Sequence, residues 1–298
     1  MKDVTAKRIV GLVLSIGLVA PAALAAPFPI AVTDDVGRMV TVDAEPERII
    51  SLAPSHTEIL YALGLADRVV GVTAYCNYPP ETAGLPQVGG FSDVDFEQVV
   101  GLDPDLVLAS TIHMAEVVPK LEDLGITVLV IHPPTVEAVL DALLTVGMVT
   151  DRAIDAAMLV AGMRERIDTV LESIADSRAP RVFWELGPDL YTAGPGSFID
   201  DLIRLAGGEN VAADARSQWP QLSVEAVVVK DPEILILADH SYGETAKRVA
   251  ARPGWERITA VETGRVVELT NDDIFSRPGP RIVDALEFLA RVFHPDRF

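Results

Sequence analysis

Residues 96–109, FEQVVGLDPDLVLA, and residues 224–238, VEAVVVKDPEILILA, decide how this chain folds. Each places an acidic residue at the start of a short apolar stretch, passes through Asp-Pro, and ends in an unbroken apolar run. Proline lacks an N–H and pushes the residue before it out of the α region, so Asp-Pro stops a helix. Leu106 to Ala109 and Ile234 to Ala238 then read as strands with no polar alternation, the pattern of strands covered on both faces. One such unit is common in α/β proteins. Two with the same order and chemistry predict two similar lobes.

Working outward, short apolar runs at Ile49–Leu52, Val69–Val72, Leu106–Ala109 and Thr127–Ile131 read as strands separated by helical patterns. A second series follows at Arg181–Glu185, Ile234–Leu237 and Arg265–Leu269. Strand alternating with helix predicts an α/β fold with mostly parallel central sheets. Ser55-x-x-Glu58 has the form of a capping box for a helix ending at Gly64, and Ser197 opens a helix that ends at Gly207-Gly208. Between the two series a helical pattern runs from about Asp151 to Ala175, with Ile154, Met158, Ala161, Ile167, Val170 and Ile174 on its apolar side. At 1.5 Å per residue it would span roughly 37 Å, enough to cross a domain. The expected organisation is an N-terminal lobe over 46–150, a connecting helix over 151–176 and a C-terminal lobe over 180–298, with a ligand cleft between the lobes. A single stiff helix between lobes predicts a small opening.

Residues 1–25 carry Lys2, Lys7 and Arg8, an apolar stretch from Ile9 to Ala20, and Ala23-Leu24-Ala25. A basic head, a short apolar middle and an A-x-A end predict a secretory signal peptide cleaved near Ala25. The apolar stretch is shorter than the ~20 residues of a bilayer span, and no Cys follows for lipid attachment. The expected location is the periplasm of a Gram-negative cell. Formal net charge is -20, and removing residues 1–25 takes away three basic residues and one acidic residue, giving -22. That acidity argues against nucleic acid and anionic membrane as partners. The single cysteine, Cys76, cannot form an intrachain disulfide, and about 270 residues can bury a core without one.

The stretches PERIISLAPSHTEILYALGLADRVVGVTAYCNYPPE and LPQVGGFSDVDFEQVVGLDPDLVLAS carry a family likeness. They resemble the N-terminal lobe of the helical-backbone, class III periplasmic solute-binding proteins, which serve ABC importers of cobalamin, haem and iron-siderophores. The resemblance covers about Pro46 to Phe293. GVTAYCNYPPE, GGENV, WPQLSVE and RPGPR are most similar to the cobalamin-binding members. It implies a monomer that captures a corrinoid and delivers it to a dimeric permease in the inner membrane, with cobalamin as cargo and no cofactor.

The same resemblance implies ligand-binding positions at Tyr75, Phe91, Tyr191, Trp219, Asp273 and Arg277. Phe91 stands where the cobalamin binders share a Trp, and Ile274 where an aromatic is expected, with Phe275 as the neighbouring ring. Independently of the likeness, Tyr75 follows a strand on the loop side that open α/β sheets use for binding, and Trp219 sits in a polar, Pro-bounded loop. Asp273 and Arg277 also have the spacing of a surface ion pair, worth about 0–1 kcal/mol. Glu97 and Glu225 each lie in the first turn of an echoed helix, where a carboxylate meets the positive end of the helix dipole. The family adds a second role for them: one acid on each lobe docks onto arginines of the two-fold permease.

His113, beyond the strand Leu106–Ala109, is a candidate axial ligand for haem iron or cobalt. His56 either caps a helix or lines the cleft floor. The five histidines (56, 113, 132, 240 and 294) lack metal-ligand spacing. No nucleophile elbow, P-loop or H-E-x-x-H is present, so the chain is not expected to be an enzyme. Haem and ferric siderophore are the rival ligands. An anionic siderophore requires several cations in the cleft, and only Arg277 is a firm candidate, with Arg216 second. That favours a large, flat, weakly charged ligand.

Overall fold

The computed structural model describes residues 28–298; the expected signal peptide lies outside the described residues. The described chain opens with an antiparallel hairpin, β1 (Ile30–Thr33) and β2 (Met39–Val42). Its turn is held by Asp34, whose Oδ1 accepts from the Arg38 N–H at 2.8 Å, while Gly37 supplies the positive φ of 80°. This hairpin lies upstream of the strands expected from sequence, because two four-residue strands give only a weak local signal.

The first lobe contains β3 (Ile49–Ser51), β4 (Val69–Val72), β5 (Leu106–Ala109) and β6 (Thr127–Val130). Its helices are α1 (Pro54–Ala62), α2 (Phe96–Gly101), α3 (Val117–Asp123) and α4 (Val136–Val149). The long α5 (Ala153–Ile174) follows, 22 residues, or about 33 Å. The second lobe contains β7 (Arg181–Glu185), β8 (Glu209–Asn210), β9 (Ile234–Leu237) and β10 (Val266–Glu268). Around them lie α6 (Phe198–Leu205), α7 (Val224–Lys230), α8 (Ala246–Ala250), α9 (Thr259–Glu262), α10 (Asp273–Ser276) and α11 (Ile282–Phe293). The sheet orders are β4-β3-β5-β6 and β8-β7-β9-β10. Every pairing within both is parallel. Numbered within its lobe, each sheet reads second-first-third-fourth, so the two lobes share one topology.

The echo extends to the backbone and the core. Asp103 and Asp231, the residues before the two prolines, both sit in the left-handed region, with φ of 46° and 44°. The expected stop occurs, through a left-handed cap that Asp tolerates better than most residues. In β5, Leu106 and Leu108 join a core shared by both lobes, while Val107 and Ala109 face a core belonging to the first lobe. In β9, Ile234 and Ile236 join that shared core, and Leu235 and Leu237 face a core of the second lobe. The alternation of strand side chains explains the split, and burial on both faces explains the unbroken apolar runs.

The shared core runs along α4, α5 and α11, which makes the two lobes one packed body at their base. Two expectations change here. The inward face of α5 carries Ala156, Val160, Met163, Ile167, Val170 and Ile174, whereas Ile154 and Met158 are 64% and 70% exposed. Ala161 is exposed as well, so in the first half of the helix the inward face lies two residues beyond the expected positions, because Met and Ala occupy both sides. Ser55-x-x-Glu58 is not a capping box. Helix α1 starts at Pro54 with Ala53 as N-cap and no side-chain cap, and Glu58 is turned to the other lobe, as described below.

Candidate functional site

Parallel sheets leave their carboxyl-terminal edges open to ligands, because the chain leaves each strand there on a loop. In this molecule the corresponding edges of both sheets border a cavity of about 640 Å³ between the lobes, within the range of cofactor-sized clefts. The first lobe contributes His56 at the start of α1, Tyr75 beyond β4, Phe91, Ser110 beyond β5, and His132-Pro133-Pro134 beyond β6. The second contributes Ser197 and Phe198 at the start of α6, Gln218 and Trp219 beyond β8, and Asp273 and Arg277 around α10.

The walls are therefore apolar and ring-rich. Tyr75 and Trp219 are 61% and 48% exposed, surface that a bound planar ligand can cover. Phe198, which the sequence did not single out, lines the same cavity. Its signal was present in Gly-Pro-Gly-Ser-Phe: Ser197 caps α6 by accepting from the Asp200 N–H, which sets the next residue at the lobe's open edge. Tyr191 does not line the cavity. It forms an isolated bridge with Gln221 and is held by its carbonyl, which accepts from the Leu186 N–H at 2.9 Å. Arg216 is exposed and also lies outside the cavity. Phe275 is buried in the core against Trp184 and Phe288, with ring centroids 5.7 and 5.4 Å away, so it does not replace the aromatic expected near Ile274.

His113 is not placed to ligate a metal. It is buried, its Nδ1 accepts from the Ser110 N–H at 2.9 Å, and its Nε2 donates to the Phe91 carbonyl at 2.7 Å. Both ring nitrogens are thereby used, and burial lowers the imidazole pKa so that the ring stays neutral. The ring also meets Phe91 edge-on at 5.6 Å, making His113 the support of the Phe91 loop. His56 lies on the cleft floor, with its Nε2 donating to the Ile131 carbonyl at 2.9 Å. Burial brings its pKa down to about 4, so it too is a neutral polar group. Among the described residues no group of three or more His, Cys, Asp or Glu is placed to hold a metal ion.

The acid and base in the cleft are paired. Arg277 Nη2 lies 2.6 Å from Asp273 Oδ1, and Nη1 donates to Asn77 Oδ1 at 2.7 Å. Apart from histidines and Tyr75, these are the ionisable side chains that line the cavity among the described residues. Asp273 and Arg277 thus pair with one another and border the cavity, with side chains 29% and 11% exposed.

Glu97 and Glu225 occupy the first turns of α2 and α7, whose N-caps Asp95 and Ser223 accept from the Gln98 and Ala226 N–H groups. Both glutamates are exposed. The Glu225 carboxyl is held below its ordinary pKa by its own backbone N–H and by the Ser223 hydroxyl.

Comparison with known proteins gives the same architecture. The profile of the family described as "Periplasmic binding protein" matches residues 49–272. A protein of Halobacterium salinarum called cobalamin-binding protein is 38% identical over 280 residues, covering 91% of this chain and 75% of that one. An uncharacterised ABC transporter substrate-binding lipoprotein of Bacillus subtilis is 36% identical over 280 residues, covering 91% and 87%. The crystal structure of the periplasmic vitamin B12 binding protein of Vibrio cholerae superposes with a TM-score of 0.74 at 30% identity, covering 84% of this chain and 97% of that one.

Proposed function

The chain belongs to the periplasmic binding protein family, and on that premise we propose that it captures cobalamin or a related corrinoid outside the inner membrane and delivers it to the permease of an ABC importer. One observation carries the choice of ligand: among the described residues the cleft is lined by rings and prolines, and the arginine there, Arg277, is already paired with an aspartate. A corrinoid is large, flat on its faces and fringed with neutral amides. It needs apolar walls and scattered hydrogen-bonding groups, which Ser55, Ser110, Ser197 and Gln218 provide. Tyr75, Phe91 and Trp219 are the rings assigned to its faces, and Asp273 and Arg277 to its fringe. Tyr191, outside the cavity, is left out of that assignment.

A haem or ferric-siderophore ligand has less support. Both are anionic, and among the described residues the cleft offers no unpaired guanidinium or ammonium to meet them. His113, the candidate axial ligand, is sealed behind Phe91.

Cyanocobalamin titrated into the purified protein tests this reading. Uptake should approach one corrinoid per chain, and Trp219→Ala should weaken it by about fivefold or more, in keeping with ~1 kcal/mol or more for a stacked ring. An unchanged affinity in that variant would sink the assignment of Trp219. Delivery rests on Glu97 and Glu225. Replacing both by Arg should abolish stimulation of the permease ATPase while ligand affinity is retained, and loss of ligand binding in the same variant would make these acids structural instead.

A further inference from the structure

Glu58 is almost fully buried, its side chain 2% exposed, and it belongs to α1 of the first lobe. Its partners all come from the other end of the chain. Arg281 donates to both of its oxygens, at 2.8 and 2.6 Å. Arg277 Nη1 approaches Glu58 Oε1 at 3.3 Å. The same Nη1 donates to Asn77 Oδ1 at 2.7 Å, and Nη2 contacts Asp273 Oδ1 at 2.6 Å. Asn77 in turn donates to Asp273 Oδ2 at 3.3 Å. Arg281 also lies over the Tyr78 ring, 3.8 Å from its centroid, and the Glu58 carboxylate raises the Arg281 pKa. Two guanidinium groups and two carboxylates thus form one cluster that bridges the lobes and sums to zero charge.

Only one face of that cluster borders the ligand cavity. Asp273 and Arg277 line it, while Glu58 and Arg281 stand behind them. Without Glu58, the largely covered guanidinium of Arg277 would lose one of its two anionic partners, and the cluster would carry a net positive charge at the cleft wall. A partly desolvated cation attracts a ligand carboxylate far more strongly than one in water does.

We propose that Glu58 determines the charge selectivity of the cleft: held behind Arg277, it cancels the positive charge there and so turns the site away from anionic tetrapyrroles and anionic chelates. This deepens the corrinoid reading and rests on it for the neutral ligand, but the exclusion of anions is a property of the cluster itself. Glu58 touches no ligand in this account; it is a positioning and screening residue that acts through Arg277.

The test compares two flat macrocycles of different charge. Cyanocobalamin carries no net charge, and metal-free protoporphyrin IX carries two propionates and has no iron to ligate. Binding of each is followed by Trp fluorescence quenching in the wild-type protein, in Glu58→Gln and in Asp273→Asn, at low and at high salt. The ratio of protoporphyrin to cyanocobalamin affinity should rise about tenfold in either variant at low salt, and shrink toward the wild-type ratio at 0.5 M salt, where the Debye length falls to about 4 Å from about 30 Å at 0.01 M. The gain should vanish when Arg277→Met is added to Glu58→Gln. An unchanged ratio, or a gain that ignores salt or survives loss of Arg277, would overturn the proposal. Should Glu58→Gln fail to fold, Arg281→Gln reads the same cluster from behind the cavity wall: Glu58 is then left to Arg277, the cluster turns net negative, and the ratio should fall below the wild-type value at low salt, an unchanged ratio overturning the proposal. Failure of the wild-type protein to bind cyanocobalamin would defeat the corrinoid reading alone, since protoporphyrin affinity across the same variants then decides the role of Glu58.

Discussion

Arg48 and Arg181 hold equivalent places in the two lobes. Arg48 Nε donates to the carbonyls of Leu102 and Asp103, both at 3.0 Å. Arg181 Nε donates to those of Lys230 and Asp231, at 3.2 and 2.8 Å. In each lobe these carbonyls end the echoed helix, where no intrahelical donor reaches them. The acids two residues further on complete the arrangement: the Asp105 carboxylate accepts from the Arg48 N–H at 3.0 Å, and the Glu233 carboxylate from the Arg181 N–H at 3.1 Å. The first strand of each lobe is thereby clamped to the turn between its echoed helix and strand.

Both clamps should contribute, Arg181 somewhat more because it also pairs with the Asp231 and Glu233 carboxylates at 3.1 and 3.4 Å. Arg48→Met and Arg181→Met are each expected to cost about 1–2 kcal/mol, the range for a charged donor on otherwise unsatisfied carbonyls. The double variant should show the sum, because the two sites share no partner. Urea denaturation measures all three. A large cost in one lobe and none in the other would mean that only one of the clamps bears on stability.

His113 supports Phe91 without facing the ligand as a metal donor. His113→Ala removes the bond to the Phe91 carbonyl and the edge contact with its ring. Cyanocobalamin affinity should fall by about three- to tenfold, corresponding to roughly 1 kcal/mol of lost hydrogen bonding and packing. Equilibrium dialysis gives the affinity. A stability loss with unchanged affinity would show that the loop keeps Phe91 in place without the histidine.

Two buried groups give the protein opposing pH dependences. His56 has its pKa lowered to about 4 by burial, against about 6.5 in an unfolded chain. The unfolded state therefore binds the extra proton first, and stability present above pH 6.5 is lost as pH falls toward 4. The loss should reach about 2 kcal/mol at pH 5, and His56→Gln should remove it. Asp239 runs the other way. Its carboxylate is buried, neither oxygen has a hydrogen-bond partner among the described residues, and burial followed by the nearby Glu185 carboxylate raises its pKa to about 6. Glu244 adds to the rise and Arg252 opposes it, but Arg252 is engaged by Glu185 and Glu244. The ionised form is thus disfavoured in the fold, and Asp239 costs stability as pH rises from about 4 through 6. Asp239→Asn should be more stable than wild type by about 1–3 kcal/mol at pH 7.5, with a smaller margin at pH 5. Thermal unfolding between pH 5 and 8 distinguishes the two contributions by the sign of their slopes.

The amino-acid sequence by itself determined the elements and their repetition. Apolar runs and the two Asp-Pro stops are local signals: a strand buried on both faces is apolar throughout, and a proline beyond the first turn cannot continue a helix. Seven strands and the long connecting helix could be read that way, as could the helix cap at Ser197 and the loop positions of Tyr75 and Trp219. Only the tertiary structure decided which side chains meet. Met158 and Met163 are the same residue type on one helix, yet one is exposed and the other buried by the packing of α4 and α11 against α5. Phe275 went to the core, Phe198 to the cleft and Tyr191 to neither. Glu58 has the spacing of a local cap, and instead binds Arg281, 223 residues away. The reason is physical: a cap or a strand is selected by neighbours a few residues distant, whereas a buried charge takes whatever partner the fold brings within reach, because leaving it unpaired costs more than forgoing a local bond.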